Sequence, residues 1–317
     1  MVDLLRTLMY MTKRVFYIIP TLLFISILVF AMIRVIPGDP ADIVLGERAS
    51  EESKEAWREK MGLNESVVEQ YFIYVKQLLQ GDLGHSMKYN RNVSDLMATR
   101  LIVTLSLLLT SSIFIIGISI PLGYLAAKHQ NGIFDFIITS FSIFSVSAPQ
   151  FWIGSILLLI FALQFKIFPV GNWGNTFFDH VRALILPGFT IALGSIGLLI
   201  KNLRSNIIDI INSDFVDFAR SKGIPEGHIM NRHILRNVMI SAITLFSLRM
   251  AAMFGSTLIV ERVFSLPGIG LLLIESIFSR DYATVQSAVL VISLVVLLIN
   301  LITDTIYSLL DPRVVLK

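Results

Sequence analysis

The sequence has no cysteine, so disulfides, thiolate metal sites and thiol nucleophiles are all excluded. Charge is scarce too: 15% of the 317 residues are charged, 55% are hydrophobic, and the mean hydropathy is +0.74. A soluble chain of this length would divide into about two domains, but this composition belongs to a chain that crosses a membrane repeatedly. No G-x-x-x-x-G-K-[ST] loop is present to cradle nucleotide phosphates, and H-E-x-x-H and G-x-S-x-G are also missing. The chain therefore carries no ATPase site of its own, no metal centre and no hydrolase machinery. Its net charge of +3 and pI near 9.1 are a small basic excess of the kind that lysine and arginine in cytoplasmic loops produce, so nucleic acid is not an expected partner.

What is abundant is uncharged apolar sequence. Val15 to Ile33 holds nineteen residues without a charge, enough to cross a hydrocarbon core that needs about 20 helical residues. It is too long for a signal-peptide core and no small-residue cleavage site follows, so it reads as a retained span. Further bilayer-length segments lie at roughly 101 to 127, 136 to 165, 183 to 200, 238 to 260 and 285 to 310. The expected fold is all-α with six transmembrane helices, because in lipid only helices and closed barrels satisfy their own backbone. The third segment contains Pro149 in SVSAPQFW, which predicts a kink or a tilt there. The whole chain, 1–317, reads as a single transmembrane domain.

Orientation follows from lysine and arginine in the short loops. With a cytoplasmic N-terminus, the inner segments hold Arg6, Lys13, Arg14, Lys128, Lys201, Arg204, Arg220, Lys222, Arg232, Arg236, Arg313 and Lys317, and the short outer loops only Lys166, Arg182, Arg262 and Arg280, the segment 37–99 being too long for the rule to apply. Both termini are thus expected in the cytoplasm. Residues 37–99 then form an extracytoplasmic insert with helical patterns at Glu51 to Lys60 and Val67 to Leu79, either a solvated cap or a docking surface for an external partner.

One segment breaks the apolar pattern. DFVDFARSKGIPEGHIMNRHILRN, residues 214 to 237, gathers Asp214, Asp217, Arg220, Lys222, Glu226, Arg232 and Arg236. In the bilayer these seven would cost roughly 20 kcal/mol together on insertion scales, so the segment lies outside the membrane. Ile211, Phe215 and Phe218 at i, i+4 and i+7 give it an apolar stripe that requires cover. Gly223 after Lys222 suits a left-handed helix stop, and Pro225 suits the first turn of a second helix. The expectation is a rigid elbow of two short helices presented to the cytoplasm.

DFVDFARSKG with the downstream HILRN resembles the cytoplasmic EAA loop of ATP-binding-cassette importer permeases, specifically the peptide and nickel permease family that includes the oligopeptide and dipeptide permease B subunits. IPGDPA, QLLQGDLGHS, IPLGYLAA, APQFWIG, LPGFTIALG, ERVFSLPGIGLLLIESIFSRDYATVQ and DTIYSLLDPR look like further landmarks of that family, so the likeness runs nearly end to end. The resemblance implies the type I importer permease fold, and it implies that residues 205–237 are the coupling loop that docks into a groove of an ATPase subunit. Asp217, Ala219 and Gly223 match its motif positions, with Arg220 and Lys222 beside them and His233, Leu235, Arg236 and Asn237 in its downstream half. Ile102 and Ser241 stand where the family usually has proline, which predicts straighter helices leading into the second and fifth spans.

The function the resemblance implies is a permease subunit that forms a translocation pathway with a second homologous permease. Two cytoplasmic ATPases, which bind ATP and Mg, drive it, and an extracytoplasmic substrate-binding protein feeds it in a bacterial or archaeal cell membrane. Its cargo is short peptides or nickel chelates, and no cofactor sits on the chain itself. Ionisable residues within spans are candidates for the pathway: Arg249 falls near the middle of the fifth, and Asp304 near the inner end of the sixth. The rival reading is an ion-coupled carrier or channel acting alone, which calls for inverted repeats and midplane carboxylates on broken helices. A membrane scaffold or receptor without transport is the third.

Overall fold

The computed structural model describes residues 2–35, 41, 49–60, 62, 64–171 and 173–310. Its helices are α1 (Val2–Val35), α2 (Glu51–Lys60), α3 (Val67–Leu79), α4 (Val93–Lys128), α5 (Ile133–Ser147), α6 (Gln150–Leu157), α7 (Phe177–Ile211), α8 (Asp214–Ser221), α9 (Leu235–Phe264), α10 (Ile269–Phe278) and α11 (Tyr282–Leu310). A π-helical segment, Leu158–Gln164, extends α6, and another, Ile229–Ile234, leads into α9. The one addition to the all-α expectation among the described residues is a two-residue antiparallel pairing of β1 (His85–Ser86) with β2 (Arg91–Asn92).

Four helices are long and apolar enough to cross a membrane singly: α4, α7, α9 and α11 as far as Thr303. The expected third span is present as α5 and α6 with its extension, bent by 107° at the break. Pro149 causes the break. It holds φ at −61° and excludes its predecessor from the helical region, leaving Ala148 extended at φ −79°, ψ 133°. The kink expected at Pro149 is therefore a full corner between two helices. The first expected span rests on the shorter apolar part of α1, Phe16–Met32. Ile102 and Ser241 both lie inside uninterrupted helices, as their replacement of proline predicts.

The described chain forms two compact units. One is built mainly on Val103–Pro267, and α7 is its hub: 72% of the most apolar stretch of α7 is buried, against 28% for α9, so α7 packs inside while α9 keeps a free side. Ile191, Ile196, Ile200, Leu203 and Ile207 of α7 are fully buried. Helices α5, α6 and α9 all pack on it. Gly197 permits the closest approach, since a Cβ there would lie 2.2 Å from Ser145 Oγ and 2.4 Å from the Ser142 carbonyl oxygen of α5. Inside this unit the fully buried Glu261 accepts a 2.6 Å hydrogen bond from Thr104 Oγ1.

The other unit comprises Thr12–Ile102 and Gly268–Leu297. Val93, Leu96 and Met97 of α4 pack with Ile269 and Leu272 of α10 and Ala288 of α11. The short β-ribbon is pinned to the same corner, with Ser86 Oγ donating to Asp281 at 2.5 Å and Tyr89 Oη to Glu275 at 2.5 Å. Burial, and then the Glu275 carboxylate, push the Tyr89 hydroxyl above its usual pKa, so it stays a donor. Two stretches singled out separately in the sequence, QLLQGDLGHS and SRDYATVQ, thus meet: Ser287 Oγ also donates to the Leu83 carbonyl at 2.9 Å. Helix α3 lies on α1, where the Tyr71 ring meets Phe30 edge-on at 5.2 Å and its hydroxyl is 2.8 Å from Ser26 Oγ.

Candidate coupling surface

Helix α7 stops at Ile211, and two residues later Ser213 caps a separate helix, α8. The expected stripe of Ile211, Phe215 and Phe218 is consequently divided, because Ile211 belongs to α7. Within α8 the inward residues are Val216, fully buried, and Ala219, three residues apart and on one helical face. Phe215 and Phe218 point the other way, 44% and 60% exposed. Eight residues thus seat themselves with two small side chains and present two aromatic rings outward. Lys222 lies over the Phe218 ring, its Nζ 4.6 Å from the centroid.

The stop after α8 has the predicted geometry. Gly223 adopts φ +75°, its N–H reaches the Arg220 carbonyl at 2.9 Å, and the Ile224 N–H reaches the Ala219 carbonyl at 3.3 Å. Pro225 caps the next helical segment from just outside rather than from its first turn, at φ −60° and ψ 138°. Here the sequence expectation needs correction. The second arm, Glu226–His228 followed by Ile229–Ile234, is no separate short helix; it continues directly into α9. Fully buried Ile229 and Ile234 hold it down, so the elbow consists of one free-standing helix and the head of a long membrane helix.

Arg220 braces the turn across its exposed side. Its Nε donates to Glu226 at 2.6 Å and its Nη1 to Asp217 at 3.1 Å, tying α8 to the second arm. The Glu226 bond, then that to Asp217, hold the guanidinium above its ordinary pKa. Among the expected coupling residues, then, Asp217 and Arg220 brace, Ala219 seats, Gly223 turns, and Lys222, Arg236 and Asn237 are exposed. The side chain of His233 lies outside the described residues, as does that of Asp304. Phe215 and Phe218 are the outward residues that motif matching passed over; the signal for them was the unburied stripe itself.

Farther along α9 an open groove of about 440 Å³ is lined by Asn202 of α7 and by Asn237, Ile240, Ser241, Thr244, Leu245 and Leu248. Asn206 Nδ2 donates to Ser241 Oγ at 2.7 Å and to Asn202 Oδ1 at 3.1 Å, giving these helices a polar face that lipid would not favour. Arg249 follows one turn after Leu245, half exposed, with no hydrogen bond or ion pair among the described residues. No group of three or more metal-ligating side chains occurs among the described residues.

Residues 119–316 match the family described as binding-protein-dependent transport system inner membrane component, and residues 7–108 match the N-terminal part described for membrane components of such systems. The chain belongs to that family. It is 36% identical over 311 residues to the oligopeptide transport system permease protein AppB of Bacillus subtilis (strain 168), covering 96% of this chain and 98% of the relative. The glutathione transport system permease protein GsiC of Escherichia coli (strain K12) is 33% identical over 306 residues, with 96% and 98% covered. Among solved structures, a chain of the MetNI methionine ABC transporter in inward-facing conformations superposes with a TM-score of 0.55 at 15% identity, over 68% of this chain and 96% of that one. That likeness shows the fold, an all-α polytopic membrane fold. The family membership makes this chain the transmembrane permease subunit of a binding-protein-dependent transport system, and nothing supports the ion-coupled carrier.

Proposed function

We propose that this permease works in an ATP-driven importer of short peptides, forming the pathway with a second homologous permease. The observation that carries the coupling half of this reading is α8: a separate, firmly seated helix whose Phe215 and Phe218 rings are exposed in a segment too charged for the bilayer. Exposed aromatics on a rigid support are the usual anchors of a protein interface. One of two cytoplasmic ATPases, which hold ATP and Mg, takes that surface, with Lys222, Arg236 and Asn237 as its polar rim. Residues 37–99 face outward and receive the substrate-binding protein, and both termini lie in the cytoplasm of a bacterial or archaeal cell.

Peptide cargo is supported by the relatives, whose names specify oligopeptide and glutathione transport, and by a largely apolar groove interrupted by asparagine, serine and threonine side chains, which suits solutes that carry both amides and apolar side chains. Arg249 lines the pathway beside it. The test is reconstitution of both permeases with the ATPases and the binding protein in liposomes. Labelled short peptides should enter only with ATP, and Phe215→Ser with Phe218→Ser should release the ATPases from the membrane. ATPase binding that survives the double substitution, or ATP hydrolysis by this chain alone, would refute the coupling reading.

A further inference from the structure

Asp135 sits in the first turn of α5 and is 5% exposed. Both of its oxygens are occupied: Arg204 Nε donates to Oδ1 at 2.5 Å and Nη2 to Oδ2 at 2.7 Å, while the Asn131 N–H reaches Oδ2 at 2.8 Å and Thr139 Oγ1 reaches Oδ1 at 3.2 Å. Arg204 belongs to α7, ten residues before α8 begins at Asp214. The same two helices touch again farther along, where Gly197 abuts Ser142 and Ser145; past the corner α7 meets α6 instead, where Gly194 faces Gln150 Nε2 at 3.3 Å from a Cβ position. The pairs 135 with 204 and 142 and 145 with 197 describe two antiparallel helices, α5 and α7, in contact from the first turn of α5 to its last.

An ion pair is a poor choice if the aim is merely to hold these helices together. Burying the Asp135 carboxylate offsets much of its attraction to the partly exposed Arg204, and the glycine contact already packs the interface. What a bidentate guanidinium–carboxylate pair adds is a fixed register and orientation. The loop before α5 also needs no such anchor, since the Gly132 N–H already closes it on the His129 carbonyl at 2.9 Å. Register matters here because of where each helix leads: α7 into the elbow, α5 into the 107° corner at Ala148 and Pro149.

We propose that the Asp135–Arg204 pair is a clasp that makes α5 follow α7, so that a displacement of α8 reaches the corner inside the membrane as one lever movement. The proposal rests on the reading of α8 as the ATPase contact. Both are positioning residues, so the readout is peptide uptake per ATP hydrolysed by the assembled complex, measured in liposomes with Asp135→Asn, Arg204→Gln and the swapped pair Asp135→Arg with Arg204→Asp. In each single variant the assembled complex should still hydrolyse ATP while uptake per ATP falls about tenfold, and the swap should recover much of it. A wild-type ratio in the single variants, even with less complex formed, overturns the clasp, and so does a loss that the swap leaves untouched. Gly223→Val run in parallel separates the two ideas. If it uncouples while the pair variants do not, the elbow stands and the clasp falls; if none of them uncouples, the elbow reading falls with it.

Discussion

Single residues in this permease divide into those that shape a surface and those that use it. Gly223 shapes. At φ +75° any β-branched residue pays about 1–2 kcal/mol, yet a Cβ at that position meets nothing within 4 Å. The damage from Gly223→Val is therefore conformational, free of any clash, and should appear as re-aimed α8 and reduced ATP-driven uptake with normal abundance in the membrane. Gly223→Asn, a residue that tolerates the left-handed region, should retain most uptake in the same vesicle assay. Arg249 uses. An unpaired arginine at mid-helix costs about 2.5–3.5 kcal/mol on insertion scales, so Arg249→Leu should leave membrane abundance equal or higher while peptide uptake drops. If instead co-purification with the second permease fails and uptake per assembled complex is unchanged, Arg249 belongs to the subunit interface. The turn at Gly223 was legible in the sequence because helix stops are local, set by a glycine and a proline two residues apart. Asp135 and Arg204 were not, since 69 residues separate them and no local pattern marks either.

At the scale of elements, α7 is the helix everything else is measured against, and its glycines record where neighbours come closest. Gly197→Ala places a methyl group against a backbone carbonyl of α5, which cannot rotate away as a flexible side chain can. Overpacking of this kind costs typically 1–3 kcal/mol, so the melting temperature of the purified permease in detergent should fall. Gly255→Ala on the free side of α9, where a Cβ meets nothing within 4 Å, should hold it level or raise it slightly, since alanine favours the helix. Equal shifts for both would mean that α7 is no more tightly packed than its surroundings. Apolar length and Pro149 announced the spans and the break among them, because both act within a turn or two. The size of the bend was hidden, as it depends on α6 turning to pack on α7 and α9. The running-on of the second elbow arm into α9 was hidden for a similar reason: polar residues in Glu226 to Arg236 suggested a short separate helix, while the buried Ile229 and Ile234 hold the segment down and carry it into α9.

For the molecule as a whole, the decisive quantity is which side of the membrane each polar segment occupies, and the distribution of lysine and arginine is what sets it. The proposed topology puts the insert outside and the elbow in the cytoplasm, so a single labelling experiment constrains both. The chain has no cysteine, which makes every introduced thiol unique. Ser53 on α2 and Ser221 at the end of α8 are both exposed, so neither substitution disturbs a buried contact. In intact cells an impermeant maleimide should label Ser53→Cys and spare Ser221→Cys. Permeabilised cells should label both, which guards against reading a buried thiol as a cytoplasmic one. The reverse pattern would put the elbow outside, where no ATPase can reach it, and the coupling role of α8 would have to be abandoned along with the orientation.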